Sequence, residues 1–105
     1  MPSGDRIIVV NWADVDWIEA ADTYVQLHVG PAEYLLRQTL SALEKELDAA
    51  QFVRIHRSAI VRIDRVAELF PETHGDFTVR LRGGTRLPMS RTFRDRVERA
   101  IRWTR

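Results

Sequence analysis

The sequence predicts a single mainly-β domain carrying two short helices. Three observations lead to that class: short runs of β-branched and aromatic residues recur along the chain, several alternate apolar and polar residues with a period of two, and only two stretches change to helical spacing. With 105 residues and 45% hydrophobic content, the chain has the length for one packed core and too little for two ordinary ones.

Taken in order, Met1 to Asp5 reads as a disordered N-terminal segment and residues 6–105 as the domain. Strands are predicted at Arg6 to Val10, Val15 to Ala20, Tyr24 to Val29 and Glu33 to Leu36. In the third, Val25, Leu27 and Val29 alternate with Tyr24, Gln26 and His28, the pattern of a strand buried on one face. Gly30-Pro31 makes the turn that follows. A helix is predicted over Leu40 to Ala49, where Leu40, Leu43 and Leu47 share one face and Ser41 with Glu44 has the spacing of a capping box.

Strands resume at Phe52 to Ile55, Ala59 to Ile63, Val66 to Phe70, Phe77 to Leu81 and Thr85 to Met89. The last two flank Arg82-Gly83-Gly84, whose glycines supply the positive φ angles of a tight hairpin. Phe77, Val79 and Leu81 are expected inward, with Thr78, Arg80 and Arg82 outward. Ser90 is a natural N-cap for a closing helix through Arg102, with Phe93, Val97, Ala100 and Ile101 on its apolar stripe.

Composition narrows the function classes. Cysteine is absent, so neither a disulfide framework nor a cysteine-ligated zinc site is available, and a cytoplasmic location is expected. The apolar runs are far shorter than the ~20 residues of a membrane helix, and the first residues lack the pattern of a signal peptide. His28, His56 and His74 belong to no ligand motif, and G-x-S-x-G, Walker and G-x-G-x-x-G sequences are missing. No metal, no cofactor and no enzymatic activity are therefore expected. Trp12, Trp17 and Tyr34 read as aromatics of the core or its rim rather than a base-stacking platform.

The formal net charge of +1 hides a strong polarity. Residues 1–51 carry three Lys or Arg against nine acids, a net of −6, whereas residues 52–105 carry thirteen Arg against six acids, a net of +7. Every cation of the second half is arginine, whose planar fork suits phosphates and guanine edges. A GC-rich genome also favours arginine codons, so charge alone leaves nucleic-acid binding and a mixed-charge surface both open.

Two clusters sharpen the choice. In Phe52-Val-Arg-Ile-His-Arg-Ser-Ala-Ile-Val61, Arg54 and His56 alternate with Val53 and Ile55 until the pattern breaks at Arg57-Ser58, so cations and a hydroxyl meet at a strand end. In Pro88-Met-Ser-Arg-Thr-Phe93, Arg91 stands in the first turn of a helix, where the dipole disfavours a cation. An anion held there by Ser90, backbone amides and Arg91 would account for it, as would plain solvation of the side chain.

These blocks, together with Val15-Asp-Trp-Ile-Glu-Ala-Ala-Asp-Thr-Tyr24 and Thr39-Leu-Ser-Ala-Leu-Glu-Lys-Glu-Leu47, resemble the LytTR family of DNA-binding output domains of bacterial response regulators, over about Ile8 to Ile101. One departure stands out: Arg62 replaces the asparagine usual in the family after Ile-Val. The resemblance implies three small, mostly antiparallel sheets in an elongated arrangement. It further implies sequence-specific binding of double-stranded DNA, as the output domain of a transcriptional regulator in a two-component system.

Loops would enter successive major grooves. By position, Ala21 to Tyr24 form the first reading loop, with Asp22, Thr23 and Tyr24 as its candidate contacts; Arg57 is the second contact and Arg91 the third, with Arg57 and Arg91 expected in different major grooves. His56 either orients its loop or touches DNA, and Arg54, Ser58 and Arg94 are candidate phosphate ligands. Repeated half-sites about one helical turn apart are expected, occupied by a homodimer or by head-to-tail copies. In the family a receiver or membrane sensor accompanies the module, and this sequence contains none. The alternative from the residues alone is a protein-interaction module whose arginine-rich face binds an acidic partner.

Overall fold

The computed structural model describes residues 6–102; the expectation for Met1 to Asp5 lies outside them. Eight strands and two α-helices follow one another: β1 (Trp17–Ala21), β2 (Tyr24–Val29), β3 (Ala32–Leu36), α1 (Leu40–Glu46), β4 (Phe52–His56), β5 (Ala59–Arg62), β6 (Val66–Pro71), β7 (Phe77–Leu81), β8 (Arg86–Met89) and α2 (Arg94–Ala100). Short 3-10 helices occupy Trp12–Asp14, Ile63–Arg65, Thr73–Gly75 and Arg91–Phe93.

The strands form two antiparallel sheets, ordered β3-β2-β1-β5-β4 and β6-β7-β8. The expected class holds, but two sheets replace the three implied. β1 pairs on one side with β2 and on the other with β5, which joins both hairpins into one ladder. A further difference concerns Arg6 to Val10, which is irregular and largely exposed. Its β-branched composition favours a strand, but no neighbouring ladder takes it up.

Two apolar clusters hold the sheets. Val15, Ile18, Val25, Leu27, Phe52 and Ile60 pack with Leu40 and Leu43 of α1 on one face of the large sheet. Val53, Ile55 and Val61 pack from its other face against Phe77, Val79, Leu81, Leu87 and Met89 of the small sheet and Val97 of α2. β4 and β5 thus send successive side chains into different clusters, which explains why their sequences are nearly continuous apolar runs. Each such buried side chain contributes about 1.5–3 kcal/mol relative to exposure.

Helix ends are set by local hydrogen bonds. Thr39, not Ser41, caps α1: its hydroxyl accepts from the Ala42 amide at 3.1 Å while its own backbone stays extended. α1 ends at Glu46 rather than Ala49, because Leu47 adopts an extended backbone. Gly83 and Gly84 both have positive φ, as the predicted hairpin requires.

Arg62 has a structural partner set. One terminal nitrogen donates to the Ala13 carbonyl and the other pairs with Asp64 at 2.8 Å, at the end of β5 opposite the Arg57-Ser58 turn. The edge strands β4 and β8 of the two sheets lie against each other. In the succession β3-β2-β1-β5-β4 and then β8-β7-β6, the two sheets share a body measuring 50 × 24 × 23 Å. β3 and β6 are the outer edges of that succession.

Candidate nucleic-acid interface

Sheet register brings three separate loops to one long side of the molecule. Glu19 of β1 lies opposite Ala59 of β5, and the Ala20 amide donates to the Ser58 carbonyl at 2.9 Å, which sets the Asp22-Thr23 turn beside the Arg57-Ser58 turn. The Ser90 amide donates to the Ile55 carbonyl at 2.9 Å, which brings the start of the Arg91–Phe93 helix to the same place. Along the strand order the loops therefore succeed one another as Asp22-Thr23, Arg57-Ser58 and Arg91.

The first turn joins β1 to β2 through only two residues, with Ala21 opposite Tyr24. Asp22 adopts φ 62°, a left-handed conformation that aspartate tolerates better than most side chains. Asp22, Thr23 and Tyr24 are all exposed.

The second turn follows a register shift between Arg54 and His56, a bulge that re-aims the end of β4. His56 Nδ1 accepts from the Ser58 amide at 3.2 Å and lies 2.8 Å from the Ser58 hydroxyl. The amide can only donate, so the neutral ring carries its proton on Nε2. Both His56 and Ser58 are half-buried and face each other. Arg57 projects from the turn, exposed and without an ion pair among the described residues.

Arg54 is committed inward. Its side chain is 10% exposed; Nε donates to the His56 carbonyl at 2.8 Å, one terminal nitrogen to the Arg57 carbonyl at 2.7 Å, and the other to Glu44 of α1 at 2.8 Å. The structure thus gives Arg54 a different task from the phosphate contact expected of it.

At the third loop, the Ser90 hydroxyl accepts from the Thr92 amide at 3.2 Å and the Asp76 carboxylate accepts from the Arg91 amide at 3.0 Å. The anion sought at this helix N-terminus is the protein's own. Arg91 is exposed and donates once, to the His74 carbonyl at 3.2 Å, leaving most of its donors available. The Thr73–Gly75 turn beneath it, with His74 and Gly75 at φ 60° and 85°, was not anticipated as part of the site. Its only sequence signal was the glycine in a polar stretch. Arg94 pairs with Glu98 at 2.8 Å and sits over the Phe77 ring, 5.5 Å from its centroid.

Much of the arginine-rich half faces elsewhere. Arg80 pairs with Glu68 at 2.5 Å, Arg65 with Asp16 at 3.0 Å, and Arg86 lies 4.8 Å from the Phe70 ring centroid. The +7 of that half is therefore only partly a surface for an anion.

A family model of the LytTr DNA-binding domain matches residues 5–102. The chain belongs to this family. It is accordingly a DNA-binding domain. Among similar proteins, the sensory transduction protein LytT of Bacillus anthracis is 29% identical over 97% of this chain and 42% of its own length. The positive alginate biosynthesis regulatory protein of Pseudomonas aeruginosa is 39% identical over 81% of this chain and 35% of its own. The chain spans about two fifths of the length of these relatives.

A solved LytTr DNA-binding domain of a putative methyl-accepting/DNA response regulator from Bacillus cereus superposes with a TM-score of 0.84 at 24% identity, covering 97% of this chain and 94% of that one. That likeness concerns the fold. Among the described residues of the LytTr domain, no helix is long and apolar enough to cross a membrane.

Proposed function

We propose that the domain reads duplex DNA with the three loops of its long side, straddling one minor groove. The observation that carries this reading is the convergence of the Asp22-Thr23, Arg57-Ser58 and Arg91 loops on one side through the Ala20–Ser58 and Ser90–Ile55 backbone bonds. Two strand spacings and one contact between packed sheets separate the outer loops, about 20 Å. That is roughly half of a 34–36 Å helical turn, the separation of the two major-groove walls that flank a minor groove.

Asp22, Thr23 and Tyr24 then face one major groove and Arg91 the next, with Arg91 forking onto guanine O6 and N7. Arg57 takes the middle position. The Ser90–Ile55 bond holds its turn beside the Arg91 segment, between the outer loops. A guanidinium in the minor groove senses groove width and A·T content. Ser58 and Arg94 serve phosphates; the Arg94–Glu98 pair is exposed on both sides, so exchanging it for a phosphate costs little. His56 orients the middle turn.

The test is the salt dependence of duplex binding. Of the cations on the proposed surface Arg94 serves a phosphate, and log K is expected to fall with log salt by about 0.9 for each phosphate neutralised. A flat dependence between roughly 50 and 200 mM salt would remove the reading. Binding to repeated half-sites, by a dimer or by head-to-tail copies, belongs to the same proposal.

A further inference from the structure

Within that DNA-binding reading, we infer that Arg54 and Glu44 are positioning residues, which hold the Arg57 turn and the Arg91 segment in one fixed relation without touching DNA. Arg54 uses all three guanidinium nitrogens internally, on the carbonyls of His56 and Arg57 and on Glu44. The two carbonyls lie at the end of β4 and in the turn just past its bulge. Arg54 bridges them. Glu44 in turn has both oxygens occupied, one by Arg54 at 2.8 Å and the other by Arg96 of α2 at 2.6 Å.

The same two guanidiniums lie against Phe93, 5.7 and 5.3 Å from its ring centroid. Phe93 closes the 3-10 helix that begins with Arg91. One cluster of Glu44, Arg54, Phe93 and Arg96 therefore ties α1, the middle turn, the Arg91 helix and α2 together. Two reading cations on different strands need such a tie, because specificity depends on their relative placement to within a fraction of an ångström.

The experiment compares Arg54→Lys, Arg54→Ala, Glu44→Gln and the double variant Arg54→Lys with Glu44→Gln, measuring affinity for a selected operator and for random duplex across a salt series. Amide chemical shifts of Arg57, Ser58 and Thr92 are recorded in the free proteins. Arg54→Lys keeps the charge, yet a compact ammonium cannot bridge three acceptors. Each single variant is expected to lose about tenfold in operator affinity with an unchanged salt slope and unchanged or slightly stronger random-duplex binding. The double variant should be no worse than the poorer single one, since both break the same cluster.

Glu44→Gln leaves the apolar core intact, so it keeps the test open if Arg54→Lys folds poorly. The inference falls if Glu44→Gln leaves operator affinity within twofold and the three amides unmoved. It falls equally if Arg54→Ala lowers operator and random binding alike and reduces the slope by about one, the signature of a phosphate ligand. Absence of DNA binding by the unaltered domain would instead defeat the functional reading, while the amide shifts would still decide whether Glu44 holds the turn.

Discussion

At the scale of single residues, the side chains on the reading side divide into those free to reach outward and those that hold them. Replacing Arg91 by alanine is expected to relax base preference at one flank of the operator by about 1–3 kcal/mol. Arg57→Ala should instead weaken the preference for A·T at its centre. A panel of single-base operator variants measures both, and unchanged preferences in both variants would refute the assignments. Asp76 offers a test in which two physical effects have opposite signs. Removing a carboxylate near DNA strengthens binding if repulsion dominates, but Asp76 accepts the Arg91 amide at 3.0 Å, and without it the helix start loosens. We expect Asp76→Ala to lower stability by about 0.5–2 kcal/mol, to weaken operator binding and to strengthen random-duplex binding slightly. Stronger binding to both duplexes would show that the anchor is unimportant.

At the scale of elements, short pieces depend on their ends. α1 has only seven residues and cannot persist by helix propensity alone; its Leu40 and Leu43 are buried and its first turn is closed by Thr39. Thr39→Ala is therefore expected to cost about 0.5–2 kcal/mol, and Ser41→Ala no more than a few tenths, in urea denaturation. The reverse order would restore the capping box at Ser41. Because Glu44 is carried by α1, loss of the Thr39 cap also loosens the acceptor on which Arg54 relies.

At the scale of the whole molecule, the 50 Å length decides how copies share a duplex. On the reading proposed above, the long dimension is expected to run with the duplex and to cover about 15 base pairs at ~3.4 Å each. Two copies on one face cannot then repeat every 34–36 Å, and the expected spacing of one turn gives way to two turns, about 20–21 base pairs. Footprinting on operators with stepped spacers should show joint occupancy at two turns and exclusion at one. Joint occupancy at one turn would mean that the long axis stands off the duplex.

Residue order alone determined the strands with clean alternation, such as Tyr24–Val29 and Phe77–Leu81, because burial on one face writes a period of two into the residues. It also determined the Gly83-Gly84 hairpin, whose positive φ angles few other residues adopt, and the exposed cations Arg57 and Arg91, which stand where the apolar pattern breaks. Only the tertiary structure decided which arginines are committed inward. Arg54 and Arg57 are three residues apart and chemically identical; the acceptors that separate them are the carbonyls of the turn itself and a carboxylate ten residues earlier on α1. Thr39 prevailed over Ser41 for a related reason: capping depends on which residue turns extended at the helix start, and burial of Leu40 beneath the sheet sets that point. Local pattern records the burial of each residue's own side chain, whereas partners distant along the chain become neighbours only when the strands pair.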